Sequence, residues 1–329
     1  MATLKGSARR LRAAVDVVMH GTGGLTGELE RRTADLDAQV GHLRGHVDAL
    51  QTIADGLDVI KLEVAGLAGP TGKLVTVGSP WWSLLPFPAH RIKLAPGVFT
   101  AETGVEPDND LRTKIVIDAA GGLAGKRVID VGCNEGGFAV EFARHGAAET
   151  IGVEARKLSV RRSELVRDLL GLTDLRFVCG DVLHELARAQ QPFDVVFATG
   201  ILYHLARPDA ALRSMRERCC GFMLLCTHVA HPAASTHGCS DEIVEYVGEH
   251  GTFQGRRYSE HGVGPMAHTG GDDLWAAWGN DESFWPFEDD LVRMIEIAGF
   301  GSIEKVDHHA HSEQWQVDHT NRVMYVCRV

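Results

Sequence analysis

The sequence lacks three features, and each absence narrows the class of protein. None of the seven cysteines forms a Cys-x-x-Cys pair, and most lie in apolar runs, which favours reduced, buried thiols. No apolar run reaches the roughly 18 residues needed to cross a bilayer. A basic excess is also missing, because 33 Lys and Arg stand against 44 Asp and Glu, a formal net charge of −11. The chain therefore has no overall basic bias of the kind that nucleic-acid binding usually leaves.

The remaining composition is that of a large globular domain. The 329 residues are 44% hydrophobic and 23% charged, which fits one domain with an appendage. Basic residues between Lys5 and Arg12 predict a basic N-terminal helix, since no secretory apolar segment or cleavage site accompanies them. We therefore expect a cytoplasmic protein without a membrane span.

A heptad pattern occupies residues 27–67. Leucine recurs every seven residues from Leu29 to Leu57, and Val64 continues the series. This pattern predicts a coiled coil, although glycines at 41, 45 and 56 each weaken a helix by about 1 kcal/mol. The alternative is an amphipathic helix packed on its own domain. We expect residues 1–68 to form a helical segment that joins protomers into a homo-oligomer.

Two further regions follow this segment. Residues 69–125 are rich in Gly and Pro at first and predict a linker, a lid or short strand, and a helix near 109–121. Residues 126–329 predict strands near 127–132, 149–154, 174–179, 193–199 and 221–228, with helices between them. Alternation of apolar strands with helices predicts a buried parallel sheet. A Gly- and His-rich stretch at 229–284 has little periodicity, and a helix near 287–298 and strands near 301–306 and 322–328 follow it.

The most informative motif lies at 128–138, where an apolar run ends at Asp130 and glycines follow at 132, 136 and 137. The pattern predicts a strand, a tight turn and a helix, and Gly allows a ligand to approach such a turn closely. The spacing fits neither Gly-x-Gly-x-x-Gly nor a P-loop. Further acidic residues follow later strands: Glu154 can accept both hydroxyls of a ribose, and Asp181 can accept from an adenine amino group.

The order Asp-x-Gly-x-x-x-Gly, acidic strand end, Gly-Asp and Phe-Asp-x-Val-Phe resembles the class I S-adenosylmethionine (SAM) methyltransferases. Gly-Ile-Leu-Tyr-His, ending at His204, is similar to the subgroup that contains the tRNA wobble-uridine carboxymethyltransferase and its small-molecule relatives. The segment 91–98, the run 284–291 and Gly299-Phe300 also resemble that subgroup. The resemblance implies an α/β fold with a doubly wound, mostly parallel, seven-stranded sheet that binds SAM.

The resemblance also implies roles for individual residues. It assigns the methionine part of SAM to Asp130, Gly132, Asn134 and Gly136, the ribose to Glu154 and the adenine edge to Asp181. Thr199, at the end of the fourth core strand, joins this cofactor-binding set. Tyr203 and His204 are implied to lie beside the methyl group.

Candidate catalytic residues are His204 and His228, because imidazole titrates near neutrality and both follow predicted strands. Tyr203 is a third candidate, or a wall of the pocket. His308, His309 and His311 resemble a metal-binding tract, to which His228 and His231 could add. We favour ordinary loop histidines and no metal over a divalent ion.

The expected reaction is methyl transfer to a small polar acceptor, namely a hydroxyl of a sugar, glycan or secondary metabolite. The insert at 229–284 and the segment 81–100 are expected to shape the acceptor pocket. Aromatic residues in and beside these segments could stack on a sugar or an apolar ring: Trp81, Trp82, Phe253, Tyr258, Trp275, Trp278, Phe284 and Trp285. One alternative is an RNA-modifying enzyme, which the acidic charge and the scarcity of basic stripes disfavour. Another is a catalytically silent scaffold, and a carbon acceptor with Glu245 or Glu249 as base also stays open.

Overall fold

The computed structural model describes residue 84 and residues 87–233, 239–260, 277–307 and 321–329. The coiled coil predicted at 27–67 and the histidine tract at 308–311 lie outside these residues. The described residues belong to two units. In the first, residues 92–102 form an antiparallel hairpin of β1 (Lys93–Ala95) and β2 (Val98–Phe99). The second unit contains residues 87–91 and the rest of the described chain from Thr103.

The second unit is built on strands that alternate with helices. Its strands are β3 (Arg127–Val131), β4 (Glu149–Glu154), β5 (Leu175–Cys179), β6 (Phe193–Thr199), β7 (Cys219–His228), β8 (Val244–Val247), β9 (Thr252–Ser259), β10 (Glu282–Pro286), β11 (Ser302–Lys305) and β12 (Arg322–Arg328). Its helices are α1 (Leu111–Ala120), α2 (Gly137–Arg144), α3 (Lys157–Leu169), α4 (Val182–Arg188), α5 (Pro208–Glu217) and α6 (Glu288–Ala298), with a 3₁₀ turn at Leu202–His204.

Seven of these strands form one sheet in the order β11-β12-β7-β6-β3-β4-β5. All pairs from β7 to β5 are parallel, whereas β12 runs antiparallel to both its neighbours. Separate apolar clusters cover the two faces: one includes Phe142 and Phe197, and the other includes Leu186 and Leu291. The predicted mostly parallel, seven-stranded α/β sheet is therefore confirmed.

The chain reverses its direction across the sheet at β3. From β3 it proceeds to β4 and β5, and it then returns to β6 and β7 on the other side of β3. In open α/β sheets such a switch point leaves a crevice beyond the carboxyl ends of the strands, where ligands bind. The fold thus places the Gly turn after β3 at the crevice.

The segment 229–284 contains regular structure that the sequence did not indicate. Strands β8, β9 and β10 form a separate three-stranded antiparallel sheet in the order β10-β9-β8. In β9 (TFQGRRYS) buried positions do not alternate strictly with exposed ones, because Gly255 and Arg256 are both buried. The little periodicity noted for 229–284 did not reveal these strands, because they lack a simple apolar period. Among the described residues, no helix has the length and apolar content to cross a membrane.

All seven cysteines lie in described segments and carry free thiols. Cys133, Cys219, Cys226 and Cys327 are buried, as expected from their apolar surroundings. Cys179 and Cys220 are exposed, because they occupy the last position of β5 and an outward position of β7.

Candidate active site

The turn after β3 has a backbone that requires glycine. Gly132 and Gly136 both have φ of +74°, in the left-handed region, and Asn134 has φ of +50°. A Cβ atom on Gly132 would lie 2.9 Å from the side chain of Ile201, and one on Gly136 would lie 2.6 Å from the Phe177 ring. The motif therefore satisfies two needs at once, a tight turn and close packing of that turn on its neighbours.

A cavity of about 1010 Å³ opens at this edge of the sheet. Of the residues assigned to SAM and the three catalytic candidates, all except Gly136 line it: Asp130, Gly132, Asn134, Glu154, Asp181, Thr199, Tyr203, His204 and His228. Gly136 instead caps the start of α2 and packs against Phe177. Residues spread over nearly 100 positions are thus brought into one cavity because the strands that carry them end at the same edge.

Carboxylates occupy one side of the cavity. Glu154 is buried and accepts from the backbone N–H of Asn134 at 3.1 Å and of Arg156 at 2.9 Å. Asp181 is exposed and caps α4 by accepting from the backbone N–H of His184 at 2.9 Å. Because each carboxylate is anchored to backbone, both present lone pairs to the cavity in a fixed direction.

Asp130 is the most unusual of the acidic residues. Its side chain is buried, and its Oδ2 atom has no hydrogen-bond partner among the described residues. Burial raises the pKa of this carboxyl to about 8, although a backbone N–H of Ala139 and the charge of Arg112 oppose the shift. A buried acceptor without a partner costs free energy, so this atom is suited to a donor that arrives with a ligand.

The two candidate histidines also line the cavity, and the rings of both contact Tyr203. The Nδ1 atom of His204 lies 2.8 Å from Oε2 of Glu260, a carboxylate that is only 3% exposed. The Tyr203 ring is 4.2 Å from that of His204 and 4.6 Å from that of His228, measured between centroids. The hydroxyl of Tyr203 accepts from Nη2 of Arg322 at 3.3 Å, and burial raises its pKa.

Trp285 packs against this cluster but does not line the cavity. Its ring stacks on His228 at 5.1 Å with an interplanar angle of 10°, and its Nε1–H donates to the carbonyl of Tyr203 at 2.8 Å. Trp278 does line the cavity and is 55% exposed, with the Arg156 guanidinium 5.8 Å from its ring. Of the predicted aromatic acceptor residues, Trp81, Trp82 and Trp275 lie outside the described segments.

Several lining residues escaped the sequence analysis. Arg112 makes a two-pronged ion pair with Asp110 at 2.8 Å and covers the Phe138 ring at 4.4 Å. His90 accepts from the backbone N–H of Gly137 at 3.3 Å, and burial together with Arg112 lowers its pKa to about 3. Both residues precede the core and belong to no motif. The only sequence signal for a role in the site is the side chain itself, a guanidinium or an imidazole close to a polar turn.

The mixed charge of helix α3 favours a solvated position for Arg162, but Arg162 instead pairs at 2.9 Å with Glu135, which is fully buried. The second oxygen of Glu135 accepts from the backbone N–H groups of Ala89 and His90, so this pair ties residues 89–90 to the Gly turn.

The carboxylates considered as bases for a carbon acceptor do not line the cavity. Glu245 is exposed on β8, and Glu249 is exposed and pairs with Arg213. Among the described residues of the insert, the buried carboxylate is instead Glu260. Within the described segments, no group of three or more His, Cys, Asp or Glu side chains is arranged to hold a metal ion.

Comparison with known proteins agrees with this architecture. Residues 123–249 match the family model of a methyltransferase domain. Over 99 residues the chain is 36% identical to the ubiquinone biosynthesis O-methyltransferase of Neisseria meningitidis serogroup A, covering 30% of this chain and 41% of that protein. Over 145 residues it is 30% identical to the enzyme of the same name from Klebsiella pneumoniae subsp. pneumoniae, covering 43% and 52%. The chain thus spans about half the length, or less, of these curated relatives.

A solved structure resembles the fold over a larger part of the chain. The N-terminal domain of EvdMO1, determined in the presence of SAH and D-fucose, covers 75% of this chain and 93% of its own, with a TM-score of 0.56 and 22% identity. This likeness shows the fold alone, and residues 123–249 of the same chain match the methyltransferase domain model.

Proposed function

We propose that the protein is a SAM-dependent O-methyltransferase whose acceptor is a hydroxyl group of a small polar molecule. One observation carries the proposal: the carboxylates beside the Gly turn and the histidine paired with Glu260 line a single cavity. The family match and the fold support the methyl donor, and the basic residue in the cavity supports an acceptor that must lose a proton.

The residues of the cavity fit SAM. The unpartnered Oδ2 of Asp130 suits the ammonium of the methionine part, and Gly132 lines the cavity close to it. Glu154 is positioned for the ribose hydroxyls, and Asp181 for the adenine edge, with Asn134 and Thr199 completing this side. When bound, SAM supplies an electrophilic methyl group on a sulfonium, which leaves as the neutral thioether of S-adenosylhomocysteine (SAH).

The remaining lining residues act on the acceptor. His204 is the general base, and Tyr203, His228 and Arg322 form the adjoining wall that orients the acceptor hydroxyl. Trp278 lies at the rim, where an aromatic ring can cover a bound molecule. The chain's main contribution is thus to hold two reactants in line and to remove one proton.

The acceptor class rests on the relatives and on the charges of the site. Relatives are named for methylation in ubiquinone biosynthesis, and EvdMO1 was solved with D-fucose, so hydroxyls on rings or sugars are the first choice. The resemblance to the wobble-uridine subgroup makes an RNA acceptor the alternative. Against RNA, the basic residues of the cavity pair with protein groups: Arg112 with Asp110, Arg156 with Glu154 and Arg322 with Tyr203.

Calorimetry with SAH and a methyl-transfer assay test the proposal together. We expect SAH to bind, and label from radioactive SAM to reach D-fucose, other sugars or phenols in a panel, but not tRNA. His204→Gln should keep SAH binding and lose transfer by about 10²–10⁴-fold, whereas His184→Gln, at a residue 63% exposed, should behave as wild type. Absence of SAH binding would support the silent-scaffold alternative, and labelled tRNA would support the RNA enzyme.

Assembly through residues 27–67 is a separate part of the proposal. The heptad repeat of leucines supports a coiled coil between protomers. Light scattering should give a multimeric mass for the full chain and a monomeric mass after Leu36→Asp and Leu43→Asp. Identical masses for both proteins would exclude assembly through this segment.

A further inference from the structure

We propose that Glu260 is the positioning residue of the reaction: it fixes the tautomer of His204 and balances the charge that His204 gains on taking a proton. This inference rests on the proposed hydroxyl acceptor. It adds a residue that lies more than 50 positions from His204 and belongs to none of the sequence motifs.

The carboxylate of Glu260 is held in place from several directions. Its Oε2 atom accepts from the backbone N–H of Ala277 at 2.7 Å and also contacts Nδ1 of His204 at 2.8 Å. Its Oε1 atom accepts a short hydrogen bond from the hydroxyl of Ser283. These donors come from the insert, so the insert both closes the cavity at 277–280 and holds the carboxylate.

This arrangement determines which nitrogen of His204 carries the proton. A carboxylate can only accept, and therefore Nδ1 must be the donor. In neutral imidazole the other nitrogen, Nε2, is then an acceptor and can serve as a base. His204 lines the cavity, so the acceptor nitrogen belongs to the site where the hydroxyl is expected.

The same pair accounts for the charge during transfer. The acceptor oxygen gives its proton to Nε2 of His204 while its lone pair forms the bond to the methyl carbon, and the electrons of the broken carbon–sulfur bond remain on sulfur. His204 becomes an imidazolium in a half-buried site. The Glu260 carboxylate, already 2.8 Å away, neutralises it without rearrangement.

Other charged or titratable groups are less suited to this role. Tyr203 packs against the His204 ring, and His228 and Arg322 lie beyond Tyr203. Neither His228 nor Arg322 carries a negative charge, and burial keeps the Tyr203 hydroxyl protonated by raising its pKa. Among the described residues in contact with His204, Glu260 is therefore the only one that can serve as its counter-ion.

Glu260→Gln tests the inference in the full-length protein. The Gln carbonyl can still accept from Ala277 or Ser283, but its amide should donate to Nδ1 of His204 and force the proton onto Nε2. An equivalent Asp-to-Asn change in the Ser-His-Asp triad lowers turnover about 10⁴-fold through the wrong tautomer. We expect a loss of turnover on the order of 10²–10⁴-fold with D-fucose, or the fastest panel compound, and unchanged SAH affinity.

A measurement of the tautomer needs no acceptor. In ¹⁵N-histidine spectra, the His204 signals are identified by their loss in His204→Gln, and we expect the proton on Nδ1 in the wild type and on Nε2 in Glu260→Gln. Glu260→Asp keeps a carboxylate, so it should keep the wild-type tautomer and recover part of the turnover. If thermal melting shows that Glu260→Gln does not fold, Glu260→Asp provides the test. The wild-type tautomer with partial turnover then supports the role of Glu260, and a changed tautomer contradicts it.

Glu282→Gln is the matched control, because Glu282 lies on β10 of the same insert sheet and its side chain is 57% exposed. It should match the wild type in turnover and in the His204 tautomer. An unchanged tautomer in Glu260→Gln, or an equal loss in Glu282→Gln, would overturn the role of Glu260. If the wild-type protein does not bind SAH, the proposed function is wrong, but the tautomer measurement still tests the pairing of Glu260 with His204.

Discussion

At the residue scale, the cavity is organised by carboxylates with different partners. Glu154 is anchored to backbone N–H groups, Glu260 pairs with a histidine, and Asp130 leaves one buried oxygen without a partner among the described residues. The first two are satisfied within the protein. Asp130 is not, and burial raises its pKa to about 8, so this carboxyl holds its proton near neutrality. A cationic group on a ligand therefore has to compete with a proton at this carboxyl.

This competition predicts how SAH binding depends on pH. Without ligand the pKa of Asp130 is about 8, and a neighbouring ammonium favours the carboxylate, so binding should release a proton below that value. SAH affinity should rise with pH, by at most about tenfold per unit, and level off above about 8. Calorimetry from pH 6 to 9 measures this, and Asp130→Asn should bind more weakly with that dependence removed. An Asp130→Asn protein with the same pH dependence as wild type would contradict the assignment.

At the element scale, the parallel core could be predicted from the sequence, and the insert could not. Strand β6 is a nearly continuous apolar run because both faces of the sheet are covered, and the predicted bounds of β4 and β6 agree with the structure. Strands β8 and β10 have only four and five residues, and in β9 the neighbours Gly255 and Arg256 are both buried, so no apolar period marks these strands. Glu260 lies in that insert, and its role depends on tertiary contacts with His204, which no local pattern announces.

The Gly turn gives a stability prediction that belongs to its element. Gly136→Ala combines a left-handed backbone, which costs about 1–2 kcal/mol, with a Cβ 2.6 Å from Phe177, which adds about 1–3 kcal/mol of overpacking. Gly171 is the matched control, because it has φ of +63° at the end of α3 but nothing within 4 Å of an added Cβ. Urea unfolding should show that Gly136→Ala loses more stability than Gly171→Ala. Equal losses would mean that the close approach to Phe177 relaxes freely.

At the scale of the whole molecule, the site is assembled from segments that lie far apart in the chain. The core supplies the turn after β3 and the ends of β4 and β6, while residues 88–90 and 104–112 form another wall. The insert adds 277–280, and β12 adds Arg322. The buried carboxylate of Glu135 connects some of these parts, since it accepts from the backbone N–H groups of Ala89 and His90 and pairs with Arg162 on α3. A ligand in the cavity would contact all of these segments. It would therefore link parts of the chain that the core alone does not hold together.

Hydrogen exchange with and without SAH tests this assembly. Saturation at 100 times Kd stabilises the folded protein by about 2.7 kcal/mol, and segments that contact the ligand should gain the most protection from local opening. We expect slower exchange at 88–90, 104–112, 199–205 and 277–280, because all of them line the cavity. Strand β8 does not line it and serves as the internal control, with little change expected beyond the global effect. Protection confined to 130–156 would mean that the core binds SAH alone and that the outer segments close only over the acceptor.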